Sequence, residues 1–446
     1  MNRKKVLLIS YLFPPVGGAG VQRNLKYVKY LPQFGWDPVV LSVKHIQYYV
    51  YDEYLLREVP QNVPIIRTGS LDPLRLAAIL RGIRVRNGQR PGSAMPSYLS
   101  EAAPAIRVYR LMRNYLAFPD AQIGWIPFAY RRGYEAIRKY DVRAILASVG
   151  PVSSAIVARL LAARTGVPYA LDFRDAWTDD PYFVAPTALH RWGHALLEKL
   201  VVGQADAVTV YDECLGRTLQ SRYESLKDRV GVLPNGFDPA DRDLIGPPPG
   251  PADIKRRIVY TGSLYAHHDE NVRTLLAALN YLPEGIRSTL RILFVGQTYA
   301  GFQERIAAAG LSGDQIVSTG YVSHSEALTL LASADAALLF VRSGDVSSVT
   351  GKVFEYLMVG CPILACIEPE GACAKVLGSV GQGHWIAPPS DARAIARVIT
   401  ELAASNWQRS DSSQVERFSR KRTAADLAAI LDQLSNADRK DRTRFI

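Results

Sequence analysis

Short apolar runs alternate with segments of helical periodicity through the first half of the chain. Residues 6–10 (VLLIS) form a short, almost wholly apolar run, which is typical of a buried parallel strand. Residues 21–31 then carry apolar side chains at helical spacing. The same pattern predicts further strands at 39–43, 144–148, 169–173 and 207–211, and helices at 153–165 and 195–203. Strands that alternate with helices predict a doubly wound parallel sheet.

The alternation restarts in the second half, after a turn at residues 234–238 (PNGFD) and a proline-rich run at 246–251. Strands are predicted at 257–261, 291–295, 315–318, 336–341 and 362–366, and helices at 271–282, 302–309, 325–332, 351–359, 391–403 and 424–434. We therefore predict an α/β protein with two doubly wound, Rossmann-like domains that face each other across a cleft. The domains are residues 1–235 and 236–414, and ligands are expected at the carboxyl ends of their strands.

Composition supports a folded protein without a membrane anchor. Of 446 residues, 48% are apolar and 21% are charged, which excludes a disordered chain. The first apolar run is too short for a signal peptide, and no run approaches the 18 or so residues that span a bilayer. The four cysteines form no CxxC pair and indicate a reducing compartment. The predicted location is the cytoplasm.

The net charge of +11 is partly concentrated in one stretch. Residues 73–113 contain a single acid and eight arginines, namely Arg75, Arg81, Arg84, Arg86, Arg90, Arg107, Arg110 and Arg113. Leucine and isoleucine alternate with the first of them, as in segments that lie on an anionic leaflet. A solvated loop is the alternative. Nucleic acid is not predicted as a partner, because no aromatic platform accompanies the arginines.

A glycine loop follows the first predicted strand and precedes the first helix. Gly17 and Gly18 let the backbone approach a phosphate or a sugar, and a helix N-terminus favours anions. The loop is not a dinucleotide fingerprint, because Arg23 stands where GxGxxG requires its last glycine. We predict that it lies over the diphosphate or the acceptor. A tight turn without a ligand is the alternative.

A second motif begins the helix predicted at 351–359. Lys352 and Glu355 are three residues apart and share a helix face. A cation at a helix N-terminus opposes the helix dipole, so it makes sense when an anion binds there. The carboxylate one turn along can accept two ribose hydroxyls. Cation and carboxylate together match a nucleotide-sugar, whereas a surface ion pair is the alternative. The frame of a P-loop is absent.

Several motifs, in this order, give the chain a specific resemblance. They are residues 11–15 (YLFPP) with the glycine loop, 118–120 (FPD) with Trp125, 172–177 (DFRDAW), 234–238 (PNGFD), 260–265 (YTGSLY) and 351–356 (GKVFEY). The chain resembles the family 4 retaining glycosyltransferases of the GT-B fold, in the branch that builds bacterial polysaccharides. The resemblance extends nearly from end to end. It implies that a C-terminal helix at about 415–434 packs back on the N-terminal domain.

The resemblance also implies residue roles. Glu355 would bind the donor ribose and Lys352 the diphosphate. The residues predicted to bind the donor are Gly17, Gly18, Gly262, Ser263, Tyr321, Val322, Ser347, Ser348, Val349, Thr350, Gly351, Lys352 and Glu355. The sequence departs from the family at the 172–175 segment, which lacks the usual acceptor-side histidine, and at two positions on the donor side. Ser347 stands where the family has a glutamate that contacts the donor sugar, and His267-His268-Asp269 stands where an arginine is frequent, leaving Arg273 as a weak candidate for the second phosphate cation.

The motif at 172–177 is predicted to serve the acceptor side. Asp175 could orient the acceptor hydroxyl, and Arg174 could hold a carboxylate or phosphate of acceptor or donor. The alternative is an Asp–Arg ion pair that fixes a loop. Lys352, Asp175 and Arg174 are thus the predicted catalytic residues. No protein nucleophile is assigned, because the leaving diphosphate can itself take the acceptor proton.

These observations predict a metal-independent glycosyltransferase without a cofactor. It would move a sugar from a uridine or guanosine diphosphate sugar to a hydroxyl of a glycan or lipid-linked acceptor, with retention. Two alternatives remain open: a nucleotide-sugar epimerase, and a catalytically silent nucleotide-sugar-binding partner in a polysaccharide synthesis complex. The serine at position 347 favours the second of them.

Overall fold

A computed structural model describes most of the chain. The described residues are 3–17, 19–44, 52–71, 115, 117–180, 183, 185–247, 256–311, 315–381, 383–405 and 413–436. The chain divides into two compact units, Met1–Asn235 with Arg420–Ile446, and Gly236–Ser419. Among all the described residues, no helix is long and apolar enough to cross a membrane. Gly18 and the arginine-rich stretch at 73–113 lie outside the described residues.

The N-terminal unit contains a seven-stranded parallel sheet with the strand order β3-β2-β1-β4-β5-β6-β7. The strands are β1 (Lys4–Ile9), β2 (Trp36–Val43), β3 (Ile65–Thr68), β4 (Val142–Val149), β5 (Tyr169–Phe173), β6 (Ala207–Val210) and β7 (Val230–Val232). The chain order reverses between β1 and β4, so this is the switch point at which ligands bind in such sheets.

Five described helices follow strands of this sheet, and a sixth comes from the end of the chain. They are α1 (Ala19–Tyr30), α2 (Ile126–Tyr140), α3 (Ser153–Thr165), α4 (Ala188–Val202), α5 (Glu213–Arg222) and α13 (Arg420–Asn436). Buried apolar clusters cover both faces of the sheet. This is why the central strands are apolar on both sides rather than alternating.

The C-terminal unit repeats the design with six parallel strands in the order β10-β9-β8-β11-β12-β13. The strands are β8 (Arg256–Thr261), β9 (Leu290–Val295), β10 (Ile316–Gly320), β11 (Ala336–Phe340), β12 (Ile363–Cys366) and β13 (His384–Ala387). The helices are α6 (Asp269–Leu279), α7 (Glu284–Arg287), α8 (Phe302–Ala308), α9 (His324–Ala332), α10 (Gly351–Val359), α11 (Ala372–Gly378) and α12 (Ala392–Ala404). Its switch point lies between β8 and β11.

The prediction of two doubly wound α/β domains is confirmed, although the sequence pattern missed several elements. Strands β3, β7 and β13 have only three or four residues and are partly exposed, so they lack a distinct apolar run. Helix α2 was also missed, since only Ala129, Gly133, Ala136 and Ile137 of its 15 residues are buried.

The end of the chain differs in detail from the predicted helix at about 415–434. Residues Ser413–Phe418 form a 3-10 helix in the C-terminal unit, and α13 begins at Arg420 in the N-terminal unit. Leu427 and Leu431 of α13 are fully buried in the same cluster as Val6 and Leu8 of β1. The apolar face of α13 therefore completes the core on one side of the first sheet.

Candidate functional site

The strand ends at the switch point of the C-terminal sheet bring most of the predicted donor-binding residues together. Gly262 and Ser263 directly follow β8, and residues 347–350 lie in the connection between β11 and α10. Gly351, Lys352 and Glu355 belong to the first turns of α10. Because β8 and β11 are adjacent and parallel, these segments lie at the same edge of one sheet.

Tyr356 fixes α10 against both strands of the switch point. Its hydroxyl accepts a hydrogen bond from the backbone N–H of Thr261 at 3.1 Å and donates to the carbonyl of Leu338 at 3.2 Å. The side chain is fully buried. A buried tyrosine with both hydrogen bonds made holds its helix in one position, so the first turn of α10 is rigidly placed.

Lys352 lies over aromatic and glycine surfaces. Its Nζ is 5.1 Å from the centroid of the Tyr260 ring, a cation–π contact. A Cβ added to Gly262 would lie 3.0 Å from Lys352 Cε. Gly262 also has a φ of 91°, in the left-handed region that favours glycine. A side chain at position 262 would therefore strain the backbone and would require Lys352 to shift by a few tenths of an ångström.

Electrostatics at the start of α10 favour an anionic ligand. Burial lowers the pKa of Lys352, and the nearby charge of Glu355 offsets only part of that effect. The side chain of Thr350 does not cap the helix, and its first turn contains no acidic residue. A bound anion would stabilise both the buried ammonium group and the N–H groups of the helix terminus.

Further basic side chains surround Lys352. Burial, with the neighbouring His267 and Lys352, lowers the pKa of His268 to about 4, although its hydrogen bond to Asn271 works in the opposite direction. Burial also lowers the pKa of His267, followed by the charges of Arg342 and Lys352. His268 is therefore neutral at pH 7, and the lowered pKa of His267 favours its neutral form. Arg342 and Lys352 are the other basic side chains here. Sequence reasoning missed Arg342, which the end of β11 places at this edge.

The loop that precedes α10 is built on Asp345. Its carboxylate accepts hydrogen bonds from the N–H groups of Ser347 at 3.1 Å and Ser348 at 3.0 Å, and from the Ser347 hydroxyl at 3.2 Å. Burial alone would raise the pKa of Asp345, but hydrogen bonds from the side chain and the N–H group of Ser348, followed by those from Ser347, lower it below its usual value. The Asp345 carboxylate thus stabilises the loop conformation, and Ser347 is hydrogen-bonded to this carboxylate.

The remaining predicted residues of this domain have simpler surroundings. Tyr321 is 58% exposed after β10, and Val322 packs on the same apolar cluster as Val349 and Val353. The carbonyl of Ser263 accepts a hydrogen bond from Tyr260 at 3.1 Å. Arg273 forms an ion pair with Asp269 at 3.2 Å. Arg342 is consequently a better candidate than Arg273 for a second phosphate cation.

In the N-terminal domain, Arg174 lies at the switch point. Its guanidinium packs against two glycines, Gly20 at the start of α1 and Gly150 after β4. A Cβ on Gly20 would lie 1.7 Å from Arg174 Nη1, and one on Gly150 would lie 3.0 Å from its Nε. The Nε atom is buried without a hydrogen-bond acceptor. Gly17 is half-buried in the loop that follows β1.

Asp172 and Asp175 have different environments although they are close in sequence. Asp172 is fully buried and forms a bidentate ion pair with Arg23, in which both hydrogen bonds are 2.7 Å long. Arg23 also donates to the carbonyl of Leu233 at 2.8 Å. The side chain of Asp175 is 66% exposed, 3.4 Å from Arg174 Nε. Asp172 is thus part of the interior, and Asp175 is accessible for binding.

The loop after Asp175 is anchored to α4. Trp177 Nε1 donates to His194 Nδ1 at 3.0 Å, and the N–H and hydroxyl of Thr178 donate to Glu198. His194 is enclosed by the rings of Phe118 and Phe183. These contacts fix the segment that carries Arg174 and Asp175. Among the described residues, no group of three or more His, Cys, Asp or Glu side chains could hold a metal ion.

Family models match both domains of the chain. A model of the glycosyl transferase 4-like domain matches residues 18–236, and one of glycosyl transferases group 1 matches residues 255–405. The chain is a GT-B glycosyltransferase of the family 4 type. The glycosyltransferase has no match among curated proteins. The resemblance to family 4 glycosyltransferases of the GT-B fold, drawn from the motifs, is confirmed.

Solved structures similar to the glycosyltransferase have low sequence identity and show the shared fold. A glycosyltransferase from Rickettsia africae ESF-5 is 13% identical, with a TM-score of 0.63 over 98% of this chain and 100% of that chain. Sucrose-phosphate synthase from Thermosynechococcus elongatus is 16% identical, with a TM-score of 0.55 over 97% and 96%. A putative UDP-N-acetylglucosamine 2-epimerase from Listeria monocytogenes is 12% identical, with a TM-score of 0.55 over 98% of each chain.

Proposed function

We propose that this glycosyltransferase moves a sugar from a uridine or guanosine diphosphate sugar to a hydroxyl of a glycan or lipid-linked acceptor, with retention. One observation carries the proposal: a partly desolvated lysine lies at the uncapped start of α10, at the switch point of the C-terminal sheet. Such a lysine is costly for the free protein and favourable when a diphosphate binds. The family membership supports transfer as the reaction.

The donor contacts follow from this placement. Lys352 and the first N–H groups of α10 bind the diphosphate, with Arg342 as a second cation. Glu355, one turn further along α10, accepts the two ribose hydroxyls. The backbone after β8, at Gly262 and Ser263, passes close to the phosphates because residue 262 has no side chain. The loop at 347–350 lies next to the start of α10, where it contacts the donor sugar and determines which sugar is accepted.

Ser347 has a defined part in this proposal. A glutamate at that position would present a carboxylate to the sugar, whereas Ser347 is bonded to Asp345. The Asp345 carboxylate already accepts hydrogen bonds from both Ser347 and Ser348, so it supports the loop instead of replacing the glutamate. Backbone groups and the hydroxyls of Ser347 and Ser348 would therefore contact the donor sugar. This difference would change sugar specificity rather than remove activity.

The N-terminal domain supplies the acceptor side. Arg174 presents a cation at the switch point of that domain, where the absence of side chains on Gly20 and Gly150 gives the guanidinium its position. Gly17 lies in the neighbouring loop after β1. Arg174 would hold a phosphate or carboxylate of the acceptor, and Asp175 would orient the hydroxyl that reacts. A glycan attached to a lipid diphosphate has the required anionic group. The arginine-rich stretch at 73–113 would contact an anionic membrane surface on the cytoplasmic side.

The reaction needs no nucleophile from the protein. The acceptor oxygen forms the new bond to the anomeric carbon while the bond to the donor phosphate breaks. The departing diphosphate oxygen takes the acceptor proton on the same face, which retains the anomeric configuration. Lys352, Arg342 and the helix N-terminus stabilise the negative charge that develops on the diphosphate. With these cations present, the proposed mechanism requires neither a metal ion nor a cofactor.

Nucleotide release from a panel of nucleotide-sugars tests the proposal. Each donor is incubated with the purified protein in EDTA, with and without polyprenyl-diphosphate-linked glycans as acceptors. We expect release of nucleoside diphosphate only when the correct donor and acceptor are both present, and an unchanged anomeric configuration in the product. Glu355→Ala serves as the inactive control. Release without any acceptor, accompanied by an altered donor sugar, would support an epimerase. Binding without turnover for every pair would support a silent partner.

A further inference from the structure

Helix α4 carries an apolar stripe on its solvent side. Leu189, Trp192, Leu196 and Leu200 are exposed by 71, 64, 42 and 41%, respectively. Their spacing of three and four residues places them on one face of the helix. The opposite face is buried through His194, Glu198, Val201 and Val202. The α4 apolar stripe, defined by these four exposed residues, is therefore not needed for the core of the domain.

The exposed charges of α4 and of the neighbouring helix α3 all have one sign. Arg191 and Lys199 of α4 are exposed, whereas the only carboxylate of the helix, on Glu198, is 1% exposed and paired with Arg222. The neighbouring helix α3 has no acidic residue. It contributes Leu160, which is 39% exposed, and Arg159, which donates to the carbonyl of Leu200 at 2.8 Å. The exposed side chains that α3 and α4 contribute here are thus mainly apolar or cationic.

We propose that the α4 apolar stripe inserts into the interface of an anionic membrane. Leucines and a tryptophan beside cations are the composition of helices that lie in the plane of a bilayer surface, where tryptophan prefers the headgroup level. Arg191 and Lys199 would contact lipid phosphates. A second copy of the chain fits this surface poorly, because pairing would bring equal positive charges together.

The sequence around α4 supports a membrane rather than a protein as the partner. Tyr115 follows the arginine-rich stretch 73–113 by two residues and contacts His190 of α4, with its carbonyl 3.3 Å from His190 Nε2. In the sequence, the most basic stretch therefore ends two residues before a contact with α4. An anionic leaflet would attract the cations of α4 and those of the arginine-rich stretch alike.

Vesicle flotation of the full-length protein tests the inference. Vesicles of phosphatidylcholine mixed with phosphatidylglycerol are compared with vesicles of phosphatidylcholine alone. We expect binding to the anionic vesicles that weakens with salt. The double variant Trp192→Ser/Leu196→Ser should reduce the partition coefficient about tenfold or more, because it removes the two central apolar anchors. Arg191→Glu/Lys199→Glu should reduce binding to anionic vesicles selectively. Tyr281→Ser, at a tyrosine that is 55% exposed in the other domain, is the matched control.

A second readout locates Trp192 in the bilayer. Brominated lipids should quench tryptophan emission of the wild type, and Trp192→Phe should lose much of that quenching while still binding. Trp36, Trp125 and Trp177 are buried, and Trp385 and Trp407 are common to both proteins, so the difference reports on Trp192. All variants change exposed side chains, and unchanged melting temperatures would verify that they fold. Nucleotide-sugar binding in solution should also stay unchanged, so the inference can fail independently of the proposed transfer.

Three results would overturn the inference. The wild type could fail to bind anionic vesicles. The double variant could bind them as well as the wild type does, which would assign all membrane affinity to other residues. Alternatively, the wild type could self-associate through this surface, with the double variant monomeric and vesicle binding equal for both.

Discussion

Replacing Gly20 by alanine should impair the acceptor side of the enzyme without unfolding it. The added Cβ would lie 1.7 Å from Arg174 Nη1 and 2.8 Å from its Cζ, whereas ordinary contacts begin at 3.4 Å. The guanidinium must therefore move by roughly 1.5–2 Å, and a misplacement of about 1 Å at a reacting centre can cost about a hundredfold in rate. Gly20 lies in α1 outside the left-handed region, so alanine causes no backbone strain.

The expected magnitude follows from the bond that Arg174 would make. A hydrogen bond to a charged group contributes about 1.5–3 kcal/mol, so kcat/KM for the acceptor should fall roughly 10- to 100-fold. Stability should stay the same or rise by up to about 1 kcal/mol, because alanine favours a helix over glycine. Initial rates at varied acceptor concentration, donor affinity by calorimetry and thermal melting measure the three quantities. Donor affinity should not change.

Matched variants separate this explanation from a general effect of the substitution. Gly378→Ala changes a helical glycine with open space around it and should leave activity unchanged. In an Arg174→Ala background, Gly20→Ala should have no further effect, since the two substitutions act on the same contact. Full activity of both Gly20→Ala and Arg174→Ala would refute the assignment of Arg174. Additive losses in the double variant would show that Gly20 acts by another route.

Two further predictions concern stability. Lys352→Met should abolish donor binding and stabilise the free protein at neutral pH by about 0.5–2 kcal/mol, as is usual when a strained functional group is removed. Burial lowers the pKa of Lys352 in the folded protein below its unfolded value of 10.5, so the gain in stability should shrink as pH rises through the folded pKa. Urea unfolding of wild type and variant at several pH values measures this difference. A variant that is less stable than the wild type at neutral pH would contradict the desolvation argument. Asp172→Asn should cost about 3–5 kcal/mol by leaving Arg23 unpaired in the interior, whereas Asp141→Asn, which breaks an exposed pair, should cost at most about 1 kcal/mol. Equal unfolding midpoints for these two variants would refute the interior role of Asp172.

Structural features that depend on neighbouring residues along the chain were predicted most accurately from the sequence. Helix α10 was predicted at residues 351–359, and the structure has it as Gly351–Val359, because its apolar spacing and the glycines at both ends are local signals. Lys352 and Glu355 could be recognised for the same reason. The short strands β3, β7 and β13 could not, since pairing with a neighbouring strand, rather than their own pattern, makes them strands.

Contacts between residues that are distant along the chain could not be predicted from the sequence. Asp172 was grouped with Arg174 and Asp175, but its partner is Arg23, which is 149 residues away. The packing of Arg174 on Gly20 and Gly150 likewise depends on the strand order of the sheet. Arg342 could have been predicted as a site residue, because it is a cation that closely follows a buried strand of the second domain. The α4 apolar stripe has helical spacing, which in a sequence cannot be distinguished from a buried face.

The binding of nucleoside diphosphates by wild-type protein and by Glu355→Ala tests the central claim most directly. Calorimetry is performed with the ribonucleotide and with its 2′,3′-dideoxy counterpart. We expect Glu355→Ala to weaken ribonucleotide binding by about 2–4 kcal/mol, which is roughly 30- to 1000-fold. The variant should bind the ribose and dideoxyribose forms equally, whereas the wild type should prefer ribose strongly. Equal affinities of wild type and variant for the ribonucleotide would contradict the placement of the donor on α10.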